Sequence, residues 1–149
     1  AASCPACCRA RSRAAAASPS LLLIANRSAD RAVALAARHA HLGNVAGGGL
    51  DAIATRGAFD VVLNATSLGH AGGAPGLQSG CLGPGGLCYD LNYGRAAEPL
   101  RTACARSNIL YRDGLGMLVS QAALSFELWT GQRPDPLPVI DELRAAARE

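Results

Sequence analysis

The chain contains no lysine; all 14 of its basic residues are arginine. That excludes, within these 149 residues, a lysine general base or a lysine Schiff base. Aromatic residues make up only 4% of the chain, too few for the stacking platforms that hold single-stranded nucleic acid. Charged residues are 17% and hydrophobic ones 50%, the reverse of a disordered polyelectrolyte. The longest purely apolar run, Ala32–Ala37, is far short of the ~20 residues a membrane span needs. No acidic residue lies in residues 1–20, which carry Arg9, Arg11 and Arg13. The remaining 11 arginines are matched by 11 acidic residues, so the net charge of +3 belongs to the N-terminal stretch. A neutral body indicates neither a nucleic-acid partner nor an acidic membrane.

Six cysteines stand at positions 4, 7, 8, 81, 88 and 104. Cys4-x-x-Cys7 has the spacing of half a zinc site or a redox pair, but no second Cys or His pair follows at ligand spacing. No metal is expected, and the thiols read as small buried groups in a reducing cytoplasm. Residues 1–20 have no helical or strand periodicity and are rich in Ala, Arg, Ser and Cys. Their lack of acid resembles a transit peptide. The abrupt change at Leu21 and a lone methionine at Met117 favour an aberrant or disordered segment instead, such as a frame-shifted reading of a helix.

From Leu21 the pattern is alternating. Leu21–Ile24 is a short apolar run typical of a strand buried on both faces. Ser28 is placed to cap a helix over Asp30–His39, whose apolar face is Ala32, Leu35, Ala36 and His39. A weak strand near Asn44–Ala46 and a short helix near Leu50–Thr55 follow. Phe59–Leu63 is a second buried strand, Gly69–Gly86 reads as loop, and Leu87–Asp90 is a third strand. A helix over Ala96–Ser107, a strand at Ile109–Tyr111, and helices over Met117–Trp129 and Leu137–Arg148 complete the series. Strands alternating with helices predict an α/β fold with a mainly parallel, doubly wound, Rossmann-like sheet over residues 21–149, ending in C-terminal helices. Ligands in such sheets sit at the carboxyl ends of the strands. There the sequence has Asn26–Arg31, Asn64–Gly69, Asp90–Tyr93 and the Asp113–Met117 turn.

Each of these ends has a chemistry. Asn26-Arg27-Ser28, with Arg31 three residues on, offers two guanidinium forks and a hydroxyl where an acid would select a free 2′-hydroxyl; arginine there suits a 2′-phosphate, and so NADP. The competing reading is an ordinary cap with solvated arginines. Asn64-Ala65-Thr66-Ser67 offers small hydrogen-bonding groups to a ribose or phosphate, although such turns are common at strand ends. Gly114 and Gly116 allow close approach of a flat ring, and Met117 offers a polarizable surface beside it. Gln121, one turn further, can donate to and accept from a hydroxylated or carboxylated ligand; otherwise it is a satisfied amide on a buried helix.

Together the blocks Asn26-Arg-Ser-x-x-Arg31, Phe59-Asp-x-x-x-Asn64-Ala-Thr-Ser-x-Gly69, Tyr89-Asp-x-x-Tyr93 and Asp113-Gly-Leu-Gly-Met-Leu-Val-x-Gln-Ala122, continued by Phe126-Glu-Leu-Trp-Thr-Gly131, resemble the NADP-binding, C-terminal half of the shikimate dehydrogenases. The resemblance runs from about Leu21 to Ala145 in order and spacing. It implies NADPH-dependent reduction of 3-dehydroshikimate to shikimate in aromatic amino-acid biosynthesis, the chorismate pathway, by a cytoplasmic enzyme that is a homodimer at full length. It also implies that Arg27 and Arg31 hold the 2′-phosphate, with Asn26 and Ser28 beside them in the cofactor site. Asn64, Ala65, Thr66 and Ser67 would line the adenosine ribose, Gly114 and Met117 the nicotinamide, and Tyr93 and Gln121 the substrate. His70 stands where the family has Met, and Glu98 where it has Thr. The family's catalytic Lys and Asp pair, its N-terminal substrate domain, first Rossmann strand and glycine-rich loop have no counterpart in the sequence. Residues 1–149 alone are therefore expected to be inactive. The alternatives are a non-catalytic NADP-binding module or the inactive product of a disrupted gene.

Overall fold

A computed structural model describes residues 19–77 and 80–147. The N-terminal segment with its Cys4-x-x-Cys7 pair lies outside the described residues up to position 18. The chain divides into two compact units, one ending at Thr55 and the other beginning at Arg56.

In the first unit, β1 (Leu22–Ala25) leads into α1 (Ala29–His39), a 3₁₀ turn at Ala40–Leu42, β2 (Val45–Gly48) and α2 (Asp51–Thr55). β1 and β2 pair in parallel, from Leu22 opposite Val45 to Ala25 opposite Gly48. A parallel pair needs a crossover, which α1 supplies. Ala32 and Ala36 are buried, with Leu35 and His39 half-buried, so the expected apolar face is the packed one. A Cβ on Gly47 would run into the Ala32 carbonyl group. Glycine on the strand and alanine on the helix let the two backbones touch.

The second unit contains β3 (Phe59–Asn64), β4 (Leu82–Asp90), α3 (Glu98–Arg106), β5 (Leu110–Arg112), α4 (Leu115–Thr130) and α5 (Leu137–Ala146), with 3₁₀ turns at Leu68–Ala71 and Gly94–Ala97. Its sheet order is β3-β4-β5, and both pairings are parallel. All three strands therefore present their carboxyl ends to one side. The core beneath is built on Cys88, Leu100 and Cys104, with Leu77, Leu82, Ile109 and Tyr111 packed against it. Burying a leucine as deep as Leu100, 2% exposed, contributes about 1.5–3 kcal/mol. Two small thiols beside it let α3 lie close to β4.

The Gly69–Gly86 loop is shorter than expected, because β4 begins at Leu82. The register passes from Phe59 opposite Leu82 to Val61 opposite Leu87, so Gly83–Gly86 form a bulge. Pro84 cannot donate to a ladder, and Gly85 takes φ +75°. α4 starts at Leu115 rather than Met117 and stops at Gly131, whose left-handed φ of 74° lets its N–H reach the Glu127 carbonyl at 2.8 Å. Among the described residues no helix is long and apolar enough to cross a membrane, and no group of three His, Cys, Asp or Glu side chains could hold a metal ion.

Candidate functional site

At the carboxyl end of β1, Asn26, Arg27, Ser28 and Arg31 are all exposed. Ser28 occupies the N-cap position of α1 in an extended conformation, but its hydroxyl makes no capping bond. The turn is held instead by Asn26, whose Oδ1 accepts the Ser28 N–H at 3.0 Å, as Asn does at chain reversals. This corrects the expected cap: Asn26 shapes the turn, and among the described residues the Ser28 hydroxyl makes no hydrogen bond. Among the described residues neither Arg27 nor Arg31 makes an ion pair.

The second unit brings its strand ends together through one buried carboxylate. Asp90 ends β4 and is fully buried. Its Oδ1 accepts from Asn64 Nδ2 at 2.9 Å, from the Asn92 N–H at 3.0 Å and from Asn92 Nδ2 at 2.9 Å. Its Oδ2 accepts from the Tyr111 hydroxyl at 3.1 Å. A buried carboxylate without hydrogen bonds would be costly; here strands β3 and β5 both supply donors. Asn92 extends the connection, giving a second Nδ2 bond to the Thr66 carbonyl at 3.1 Å and accepting the Gly114 N–H at 2.9 Å on its own carbonyl. Three loops that sequence singled out, around Thr66, Asn92–Tyr93 and Gly114, are thereby tied to one group.

Of the residues expected at the site, Asn64 is buried and its carboxamide is spent inside the protein. Its Oδ1 accepts both the Thr66 N–H at 3.1 Å and the Thr66 hydroxyl at 2.8 Å. Ala65, Thr66 and Ser67 are exposed. Tyr93, 48% exposed, lies beyond the β4 end. Gly114 is buried, and a Cβ there would strike the Leu91 carbonyl. The close approach that makes it glycine is to the protein's own backbone. Met117 is half-buried and Gln121 exposed, one turn apart on α4, so Gln121 is not a core amide.

Asp90, Asn92 and Tyr111 form a unit that no local sequence pattern joins. The available signal was an acid ending an apolar strand, followed two residues later by Asn. Burial, and then the Asp90 charge, raise the Tyr111 phenol well above its ordinary value, so it stays a donor. Two residues that depart from the family pattern lie apart from this network. Glu98 pairs with Arg101 at 2.7 Å on an exposed turn of α3, and His70 lines a shallow recess of about 360 Å³ with Gly69, Gly72, Arg95 and Ala96.

Residues 114–144 match the family described as the shikimate 5'-dehydrogenase C-terminal domain. Over 127 residues the chain is 46% identical to a shikimate dehydrogenase (NADP(+)) of Alkalilimnicola ehrlichii, covering 85% of the chain and 46% of that relative. A shikimate dehydrogenase (NADP(+)) of Dechloromonas aromatica is 44% identical with the same coverage. Among solved structures, an Ael1 enzyme from Pseudomonas putida superposes with a TM-score of 0.68 at 37% identity, over 84% of this chain and 46% of that one. Shikimate 5-dehydrogenase from Thermus thermophilus, in complex with shikimate, does so at 0.63 and 28% identity, over 85% and 45%. The chain spans about half the length of the curated relatives it matches. In sequence and in its Rossmann-like fold, the chain is similar to about half the length of the shikimate dehydrogenases, with residues 114–144 matching their C-terminal domain.

Proposed function

We propose that this chain is the cofactor-holding part of an NADP-dependent shikimate dehydrogenase, an oxidoreductase interconverting 3-dehydroshikimate and shikimate, working in the cytoplasm as a homodimer at full length. The observation that carries the reading is the turn after β1. Arg27 and Arg31 stand exposed there without carboxylate partners among the described residues, and no acid occupies the strand tip where a free 2′-hydroxyl would be read. Each unit has groups suited to part of the cofactor: in the first, two guanidinium groups and the Ser28 hydroxyl suit a 2′-phosphate; in the second, the exposed Thr66 and Ser67 suit a ribose, and the Gly114–Met117 turn is assigned to a nicotinamide. When bound, NADPH supplies the hydride. Tyr93 and Gln121 are assigned to orienting the substrate, while no residue of the chain is assigned to proton transfer. In this reading residues 21–149 act as one NADP-binding domain with C-terminal helices.

Calorimetric titration of the chain with NADP and NAD tests this. NADP is expected to bind more tightly, and Arg27→Ala to remove about 1.5–3 kcal/mol of that affinity, the worth of a charge-assisted contact, with NAD unaffected. Equal losses for both cofactors would overturn it.

A further inference from the structure

We infer that Asp90, which touches no ligand-facing surface, sets the hydrogen-bond polarity of Thr66, so that the turn after β3 takes a neutral donor group of the ligand, such as a sugar hydroxyl or a purine amino group, and not a phosphate. The inference deepens the dinucleotide reading and rests on it. The chain of partners runs one way. A carboxylate is an acceptor, and every neighbour of Asp90 in the network is a donor. Asn64 must therefore turn its NH₂ toward Asp90, at 2.9 Å. Its carbonyl oxygen then faces Thr66 and accepts both the backbone N–H and the hydroxyl proton, at 3.1 and 2.8 Å.

The single proton of the Thr66 hydroxyl is thus consumed inside the protein, and the exposed side of Oγ1 presents only lone pairs. A ligand hydroxyl or amino group can donate to it. A phosphate oxygen would meet lone pair with lone pair, or would draw the Thr66 proton away from Asn64. Asp90 is a positioning residue here, acting two side chains away from the ligand. Its second oxygen is held by Tyr111, and Asn92 braces the Thr66 carbonyl, so neither the carboxylate nor the turn is free to rearrange.

The 149-residue chain is titrated with adenosine and, separately, with inorganic phosphate, as wild type, Thr66→Val and Thr66→Ser. The exchange rate of the Thr66 backbone amide is measured without ligand in wild type, Asp90→Asn and Asp90→Ala. Asparagine at 90 can still present an oxygen to Asn64, so Asp90→Asn should keep the Thr66 amide protected. Asp90→Ala should speed its exchange about tenfold, while amides of α1 in the other unit keep their rates. Thr66→Val should weaken adenosine about five- to tenfold, the worth of one hydrogen bond. Thr66→Ser should stay within about twofold, and phosphate should be indifferent to both. If Asp90→Ala fails to fold, the adenosine and phosphate arms still decide. Phosphate affinity that falls with Thr66→Val as adenosine does, or Thr66 exchange unmoved in a folded Asp90→Ala, overturns the polarity relay. An intact exchange pattern without adenosine binding overturns the dinucleotide reading and leaves the Asp90–Asn64–Thr66 orientation standing.

Discussion

Asn64 and Asp90 stand opposite each other at the last register position of the parallel β3–β4 pair, and Asn64 Nδ2 donates to Asp90 Oδ1 over 2.9 Å. The side chains that end two neighbouring strands so become one unit, buried at 5% and 0% exposure. Parallel ladders align strand ends without joining the loops beyond them; this contact, with Asn92 and Tyr111, adds that joint.

Removing the carboxylate should therefore cost more than removing any one of its donors. Asp90→Ala takes the acceptor from Asn64 Nδ2 and from the Asn92 N–H, while Asn92 Nδ2 and the Tyr111 hydroxyl keep the Thr66 and Ala97 carbonyls, an expected loss of about 3–5 kcal/mol. Tyr111→Phe should cost about 1 kcal/mol, because Asp90 keeps its other donors. Urea denaturation of both variants gives the comparison; equal costs would mean that Asp90 is not the hub.

Two glycines of one turn should respond oppositely. Gly114→Ala places a methyl against the Leu91 carbonyl, and strain of about 1–3 kcal/mol is expected. A Cβ on Gly116 meets nothing within 4 Å and lies inside α4, where alanine is favoured by up to about 1 kcal/mol. Thermal melts should show Tm falling for the first and unchanged or higher for the second.

In the core, Leu100→Ala opens a cavity between Cys88 and Cys104 and should destabilise by about 2–5 kcal/mol. Leu128→Ala, at 85% exposure, should stay within about 0.5 kcal/mol. Chemical denaturation midpoints test both.

Alkaline pH should weaken the second unit through Cys88. Burial, then the neighbouring Cys104, push the thiol up from 9.0 to about 12. Above pH 9 the unfolded chain loses this proton while the folded chain keeps it, so stability falls as pH rises from about 9 toward 12. Below 9 the contribution is complete. Stability against pH for Cys88→Ala should be flatter across that window; an identical slope would exclude Cys88 as the cause.

The element order was legible from the sequence because it rests on local rules. The apolar run Leu21–Ile24, the largely apolar Phe59-Asp-Val-Val-Leu63 and the 3.6-residue spacing of Ala32, Leu35, Ala36 and His39 need no distant partner to be read. The same holds for the stop at Gly131, whose positive φ favours glycine. The loops that matter could be named for the same reason: polar residues after apolar strands mark the carboxyl ends. Tertiary structure decided what those polar residues do. Asn64 reads as a ligand donor until β4 places Asp90 opposite it and its carboxamide is consumed. That Gly114 must lack a side chain because the Leu91 carbonyl packs against it is likewise a matter of tertiary contact. The start of β4 at Leu82 was hidden because Gly83-Pro-Gly-Gly86 is turn-like by itself and joins the strand only through a bulge against β3. Secondary structure follows from propensities within a few residues, whereas a side chain's hydrogen-bond partner depends on register between strands 26 residues apart in sequence, which no local pattern encodes.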